Sequence, residues 1–266
     1  MNLCFFSAAA GGFDIKKISN IVMWIDASDP NALYTESING TLVEPNSAIG
    51  LVLDKSGNQF NLTQSLSVNR PIRRENVQNS LGVIEFNTQD YIKFLTSPSL
   101  LFDDSQWSVF TVYKFLSASE FNCILELGRP RHSGSFFGFS FTPSNSVRSS
   151  VAARSNTSRG GLLNITLGTS LNTSSFEVQS FVWNRTNATL ATNRYLEGSS
   201  TIVSGNVQTP TTQQIILGSG YSSGVIPFPD LGTNIQIAEI IIIKRNVSPG
   251  ERTAIEEYLN RKWNLY

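Results

Sequence analysis

Charge is scarce in this sequence: 15% of its 266 residues are Asp, Glu, Lys or Arg, where roughly a quarter is usual. Twenty basic residues against twenty acidic ones leave no net charge, and no basic stripe stands out. That excludes nucleic acid as a partner, because such binding rests on Lys and Arg neutralising phosphates. Low charge also leaves solubility without self-repulsion, which suits a protein that works inside an assembly. Histidine is represented by His132 alone, so neither a His-based zinc site nor a relay triad has its usual partners. The only two cysteines, Cys4 and Cys123, make no disulfide framework, and a chain of this length needs none; they read as buried or interface thiols. No apolar run approaches the ~20 residues of a membrane span, so membrane insertion is not expected. The opening Met1–Ala10 is apolar and ends in small residues, yet no Lys or Arg precedes it and it is short for a signal-peptide core. Cys4 also lies too near the start for a lipoprotein signal, so secretion by that route is not expected.

Strand signals are abundant. Ile21–Ile25 (IVMWI) is a short apolar run closed by Asp26 and the turn cluster Ser28-Asp29-Pro30-Asn31. Gly82–Phe86 and Tyr91–Leu95 flank Asn87–Asp90 and read as a hairpin. Ser108–Leu116 (SVFTVYKFL) is a long β-branched and aromatic strand. Further runs stand at Cys123–Leu127, Ser135–Phe141, Val147–Ala152, Phe176–Trp183, Thr189–Leu196, Gln214–Leu217 and Ile235–Lys244. Between them lie Gly, Ser, Thr, Asn and Pro clusters; the stretch Arg154–Ser175 reads as a long excursion within the domain. The spacing predicts an antiparallel sandwich. Ile235–Lys244 (IQIAEIIIIK) is apolar enough to be a central strand covered on both faces, with Glu239 as its exception. The single clear helix comes last. Ser248 is its N-cap, Pro249 its first residue and Glu251 the capping-box partner, and Ile255, Tyr258, Leu259 and Trp263 share one face.

Two segments carry a resemblance. Ile18–Leu33 (ISNIVMWIDASDPNAL) is followed by Asp54-Lys55-Ser56-Gly57-Asn58 and then by Val83–Ile92 (VIEFNTQDYI). Ile235–Leu265 runs strand, turn and capped helix, with Ile237-Ala238-Glu239 at its front and Lys262-Trp263 near its end. Together they resemble the laminin-G-like, concanavalin A-like domains of tailed-phage virion proteins and bacterial surface proteins. The resemblance spans Ile18 to the C-terminus and implies an all-β, antiparallel jelly-roll β-sandwich with one C-terminal helix. It implies no single function, since the fold carries lectins, adhesins, glycosidases and structural modules alike.

Catalysis finds no support. Glycosidases on such sheets set carboxylates at alternate positions of one strand, whereas Glu85 and Asp90 straddle a turn and Glu239 stands alone. No catalytic residue, metal site or cofactor is expected, and the protein is not read as an enzyme. Asp26 and Asp29 are open to two readings, calcium ligation or, more favoured, Asx-turn and capping chemistry ahead of Pro30. Gly128–Gly134, around His132, reads as a positively charged loop that touches an anionic sugar or a neighbouring subunit. Trp107, Tyr221 and Trp183 are candidates for stacking on a sugar, although aromatics in a sandwich are usually core. Eight Asn-X-Ser/Thr sequons, among them Asn39, Asn61, Asn184 and Asn187, are read as compositional.

Residues 1–17 precede the resemblance and are expected to form an apolar assembly arm, with 18–266 as the sandwich. Leu3, Phe5, Phe6 and Phe13 are its contact residues, each aromatic being worth roughly 1.5–3 kcal/mol when buried. The expected function is a non-catalytic virion structural protein of a tailed phage (capsid decoration, fibre or tail component). Its partners are other virion proteins or copies of itself, with host glycan as a further contact. The alternative is a carbohydrate-binding adhesin module of a bacterial surface protein, located at the cell surface and not in the virion.

Overall fold

The computed structural model describes residues 13–36, 40–96, 106–117, 123–132, 135–141, 150–154, 161–166, 172–184, 187–192, 195–201, 213–220 and 232–266. The first strands are β1 (Ile21–Asp26), β2 (Leu33–Tyr34), β3 (Leu51–Val52), β4 (Leu62–Thr63), β5 (Ile72–Gln78), β6 (Leu81–Phe86) and β7 (Ile92–Thr96). The middle of the chain supplies β8 (Trp107–Phe115), β9 (Leu125–His132), β10 (Ser135–Phe141), β11 (Ser150–Arg154) and β12 (Gly161–Thr166). Then come β13 (Glu177–Trp183), β14 (Asn187–Thr192), β15 (Tyr195–Thr201), β16 (Gln213–Leu217), β17 (Ile235–Ile243) and the helix α1 (Pro249–Trp263). They form two antiparallel sheets. One runs β15-β14-β13-β8-β17-β6-β5, with β1 also on β17; the other runs β12-β11-β10-β9-β16-β7-β4-β3-β2. The fold is therefore an all-β jelly-roll sandwich with one C-terminal helix.

Two apolar layers hold it. Between the sheets, Met23, Ile25, Trp107, Val109, Phe181 and Ile240 meet Val52, Leu62, Ile92, Leu125 and Ile215. On the outer face of the first sheet, Trp24, Phe110, Val112, Val178 and Ile241 pack under Ile255, Leu259 and Trp263 of α1. Covering both faces explains why β17 is buried along its whole length, as its apolar run predicts. Helix α1 begins where its signals place it: Ser248 Oγ accepts from Glu251 N at 3.2 Å, and Glu251 Oε2 accepts from Ser248 N at 2.9 Å.

Several boundaries differ from the sequence reading. Strands β6 and β7 are not a hairpin; they lie in opposite sheets, and Asn87–Asp90 carries the chain across the edge of the sandwich. Phe86 and Ile92 both belong to the inter-sheet core, so the turn bends around that core and does not fold a strand back on itself. The hairpin is instead β5–β6, closed by Asn79 and Ser80, both at positive φ (50° and 60°), which is the backbone of a tight primed turn. The polar sequence of β5 (IRRENVQ) hid it, because an edge strand with its faces half covered needs no apolar alternation. Residues Gly128–His132, read as loop, continue β9 and pair with β10. The stretch Arg154–Ser175 contains β12, and the single run Thr189–Leu196 is two strands of a β14–β15 hairpin.

The domain body also starts earlier than Ile18. Ile15 is buried in the layer under α1, and the Phe13 ring packs on Tyr258 at 5.7 Å between centroids. Leu3, Phe5 and Phe6, like Cys4, Asn39 and Tyr221, lie outside the described residues; Cys123 is buried.

Candidate functional site

The motifs that carry the resemblance converge on one place, the junction of β1, β17 and the end of α1. Strand β17 has a bulge between Ile237 and Glu239 where it pairs with β8. Strict alternation from Ile237 would aim Glu239 between the sheets; the extra residue turns it to the helix side. There Glu239 Oε1 accepts from Trp24 Nε1 at 2.8 Å and Tyr258 OH at 2.9 Å. Its Oε2 accepts from Lys262 Nζ and Trp263 Nε1, both at 2.7 Å. Asp26, opposite Glu239 in the β1–β17 ladder, accepts from Lys262 Nζ at 2.6 Å and Lys55 Nζ at 2.9 Å. Asp54 accepts from the backbone N–H of Trp24, Ser56 and Phe60, which fastens the Asp54–Asn58 loop to β1.

Electrostatics follow from this packing. Burial raises the Asp26 carboxyl, but Lys262, by charge and hydrogen bond, and the donors Ser28 and Lys55 outweigh it and hold the group below its ordinary value. Burial, with Asp26 adding to it against the pull of Lys262, pushes Glu239 up. Burial, then the charge of Glu239, pushes the Tyr258 hydroxyl up as well. Every oxygen here already has a protein donor, so this cluster is a clasp for the helix and not an exposed site. Asp29 takes the capping role: it accepts from Asn31 N at 3.0 Å and shares Lys55, whose Nζ lies 2.8 Å away, with Asp26. The ammonium of Lys55 thus stands between the two carboxylates that the calcium reading needed. Among the described residues there is no group of three or more His, Cys, Asp or Glu placed to hold a metal.

The other carboxylates are also engaged. Glu85 accepts from Arg74 Nε and Nη2 at 3.0 and 2.7 Å and from Gln236 Nε2 at 2.7 Å. Asp90 closes its turn by accepting from Asn87 N at 2.8 Å. Trp107 and Trp183 are buried to within 1% in the inter-sheet core, so neither offers a ring to a sugar.

Among the described residues, an open cleft lies at the other end of the helix. A cavity of about 490 Å³ is walled by Val182 of β13 and Asn184 just after it, by Thr189 of β14, by Asn246, Val247 and Ser248 ahead of the helix, and by Pro249, Arg252, Thr253 and Glu256 of α1. That volume falls within the usual range for small-molecule sites, roughly 300–1,000 Å³. Glu256 is a buried member of that lining. The side chain is 5% exposed, and its Oε1 accepts from Ser180 Oγ at 2.6 Å and Arg252 Nε at 2.9 Å. Asn246 and Thr253 also line it, without a side-chain hydrogen bond among the described residues. The arrangement offers donors and acceptors over an aliphatic wall of Val182, Val247 and Pro249, and no paired acid and base. Sequence reading did not find it. Its one legible signal is Glu256, a carboxylate that shares the buried face of α1 with Leu259 and Trp263.

By fold this chain is an antiparallel β-sandwich that several solved structures share. It is similar to the binding domain of Paraclostridial Mosquitocidal Protein 1 (TM-score 0.57, 15% identity, 81% of this chain and 53% of that one). The botulinum neurotoxin serotype D ligand-binding domain, solved in complex with N-acetylneuraminic acid, gives TM-score 0.56 at 14% identity over 90% of this chain and 51% of that one. The chain thus spans about half the length of either toxin domain. Domain 4 of AbnA, an extracellular arabinanase from Geobacillus stearothermophilus solved with arabinotriose, is matched over 91% of its length (TM-score 0.54, 13% identity, 76% of this chain). No family model matches the chain, and no curated protein matches it. At these identities the likeness establishes the fold.

Proposed function

We propose that this chain is a non-catalytic glycan-binding module whose ligand sits in the cleft at the start of α1. The observation that carries the reading is the cleft itself: a cavity of small-molecule size whose lining combines side-chain donors and acceptors with aliphatic surface. Support comes from the fold, since two of the similar structures were solved with a saccharide bound. The absence of chemistry is argued from the carboxylates: Glu85, Asp90 and Glu239 are each engaged in holding the fold. The virion role rests on the resemblance alone; none of the structures named above is a virion protein, and the glycan-binding reading takes its place.

The test is a glycan array probed with the full chain and with Thr253→Trp, which fills the cleft. Binding to a defined set of glycans, lost in Thr253→Trp while the melting temperature is kept, is the expected result. Binding untouched by that variant, or new reducing ends released from a bound polysaccharide, would overturn the reading.

A further inference from the structure

We infer that the cleft selects a neutral saccharide, gripping two adjacent hydroxyls between Glu256 and Arg252; this rests on the glycan-binding reading of the same cleft. The two side chains are held side by side and each is only half used. Glu256 Oε1 is saturated by Ser180 and Arg252, while Oε2 has no hydrogen bond among the described residues and is not sealed from solvent. That oxygen is left open to a donor from a ligand, on a side chain that is only 5% exposed and is held by two bonds at Oε1. Arg252 gives its Nε to Glu256, so the fork is fixed in direction, while Nη1 and Nη2 make no hydrogen bond among the described residues. The lining therefore presents a fixed acceptor beside fixed donors.

A sugar hydroxyl both donates and accepts. Two neighbouring hydroxyls satisfy this pair completely, one donating to Glu256 Oε2 and the other accepting from the Arg252 fork. Asn246, Thr253 and Thr189 at the walls are uncharged and suit further hydroxyls. An acidic saccharide fits poorly. Its carboxylate would lie against Glu256, and the charge of Arg252 is already balanced by that residue. The neighbouring cation, Arg245, is likewise held by Glu251 through two bonds of 2.8 and 2.6 Å. Ser248 and Glu251 also answer each other across the capping box, so the helix start adds no unmatched positive charge there.

The experiment is titration calorimetry of the full chain with neutral probes (arabinotriose, maltotriose, mannotriose) and acidic ones (N-acetylneuraminic acid, trigalacturonic acid). It is repeated for Glu256→Gln, Arg252→Lys and Thr253→Trp, each checked for an unchanged melt. The expected result is a neutral probe that binds at least about tenfold tighter than either acid, the scale of one unmatched buried polar group. Glu256→Gln and Arg252→Lys should each weaken that probe by a similar factor, and Thr253→Trp should abolish it. If Thr253→Trp abolishes binding but an acid binds more tightly, or Glu256→Gln leaves the neutral affinity unchanged, the cleft is a glycan site and this inference is wrong. If binding survives Thr253→Trp, or no probe binds, the cleft reading fails along with it.

Discussion

Lys262 ties together two buried carboxylates. Its ammonium answers Asp26 and Glu239 at 2.6 and 2.7 Å and lies 5.1 Å from the Trp263 ring centroid. Removing one partner of a buried ion pair leaves the other charge stranded, which costs about 3–5 kcal/mol. Lys262→Met is therefore expected to lose stability on that scale in urea unfolding, although Met keeps most of the aliphatic stem. A second residue-scale prediction concerns pH. Hydrogen bonds from Arg245, then from the Ser248 backbone, bring Glu251 from its ordinary 4.5 down to about 2. A carboxyl lowered in the folded state stabilises fully above its unfolded value and loses that contribution as pH falls through the folded one. The difference in melting temperature between the native chain and Glu251→Gln should thus hold above about pH 5 and shrink toward pH 2. A constant difference across that window would show that the charged pair contributes nothing.

At the scale of elements, the fold turns on how α1 meets the first sheet. Ile255, Leu259 and Trp263 are fully buried in the same layer as Phe110, Val112 and Ile241. Truncating a core tryptophan costs about 3–5 kcal/mol, so Trp263→Ala is expected to lower stability by that much and to loosen the Glu239 clasp with it. An unchanged melt would mean the helix is not docked. The helix and β17 were both legible from sequence, because capping signals are local and an Ile-rich run bounded by turn residues favours a covered strand. The bulge at Ala238 was not: nothing in Ile235–Ile243 says which face Glu239 takes until the β8 register is known. Strand β5 and the β6–β7 crossover were misread for the same reason, since turn chemistry states that the chain bends and not which sheet it enters.

For the whole molecule, the glycan-binding reading and the N-terminal arm make separate demands. Phe13 and Ile15 belong to the domain's own packing, so the assembly arm we propose reduces to residues 1–12, with Leu3, Phe5 and Phe6 as its apolar contacts. Deleting 1–12 is expected to leave a folded domain with unchanged glycan affinity and a smaller assembly by light scattering. An unchanged particle size would remove the arm from assembly. A loss of glycan binding would make it part of the body.

What the sequence determined by itself was class and ends: apolar strands separated by turn clusters, and a capped final helix. Those properties live in neighbouring residues, where period and capping chemistry act over a few positions. The motifs around Trp24, Asp54 and Glu239 were visible as well, but only the folded chain shows that they bind one another. The cleft was decided by tertiary structure alone. Its walls come from Val182, Thr189, Asn246 and Glu256, residues that share no local pattern and meet because β13, β14 and α1 close on one side of a sheet.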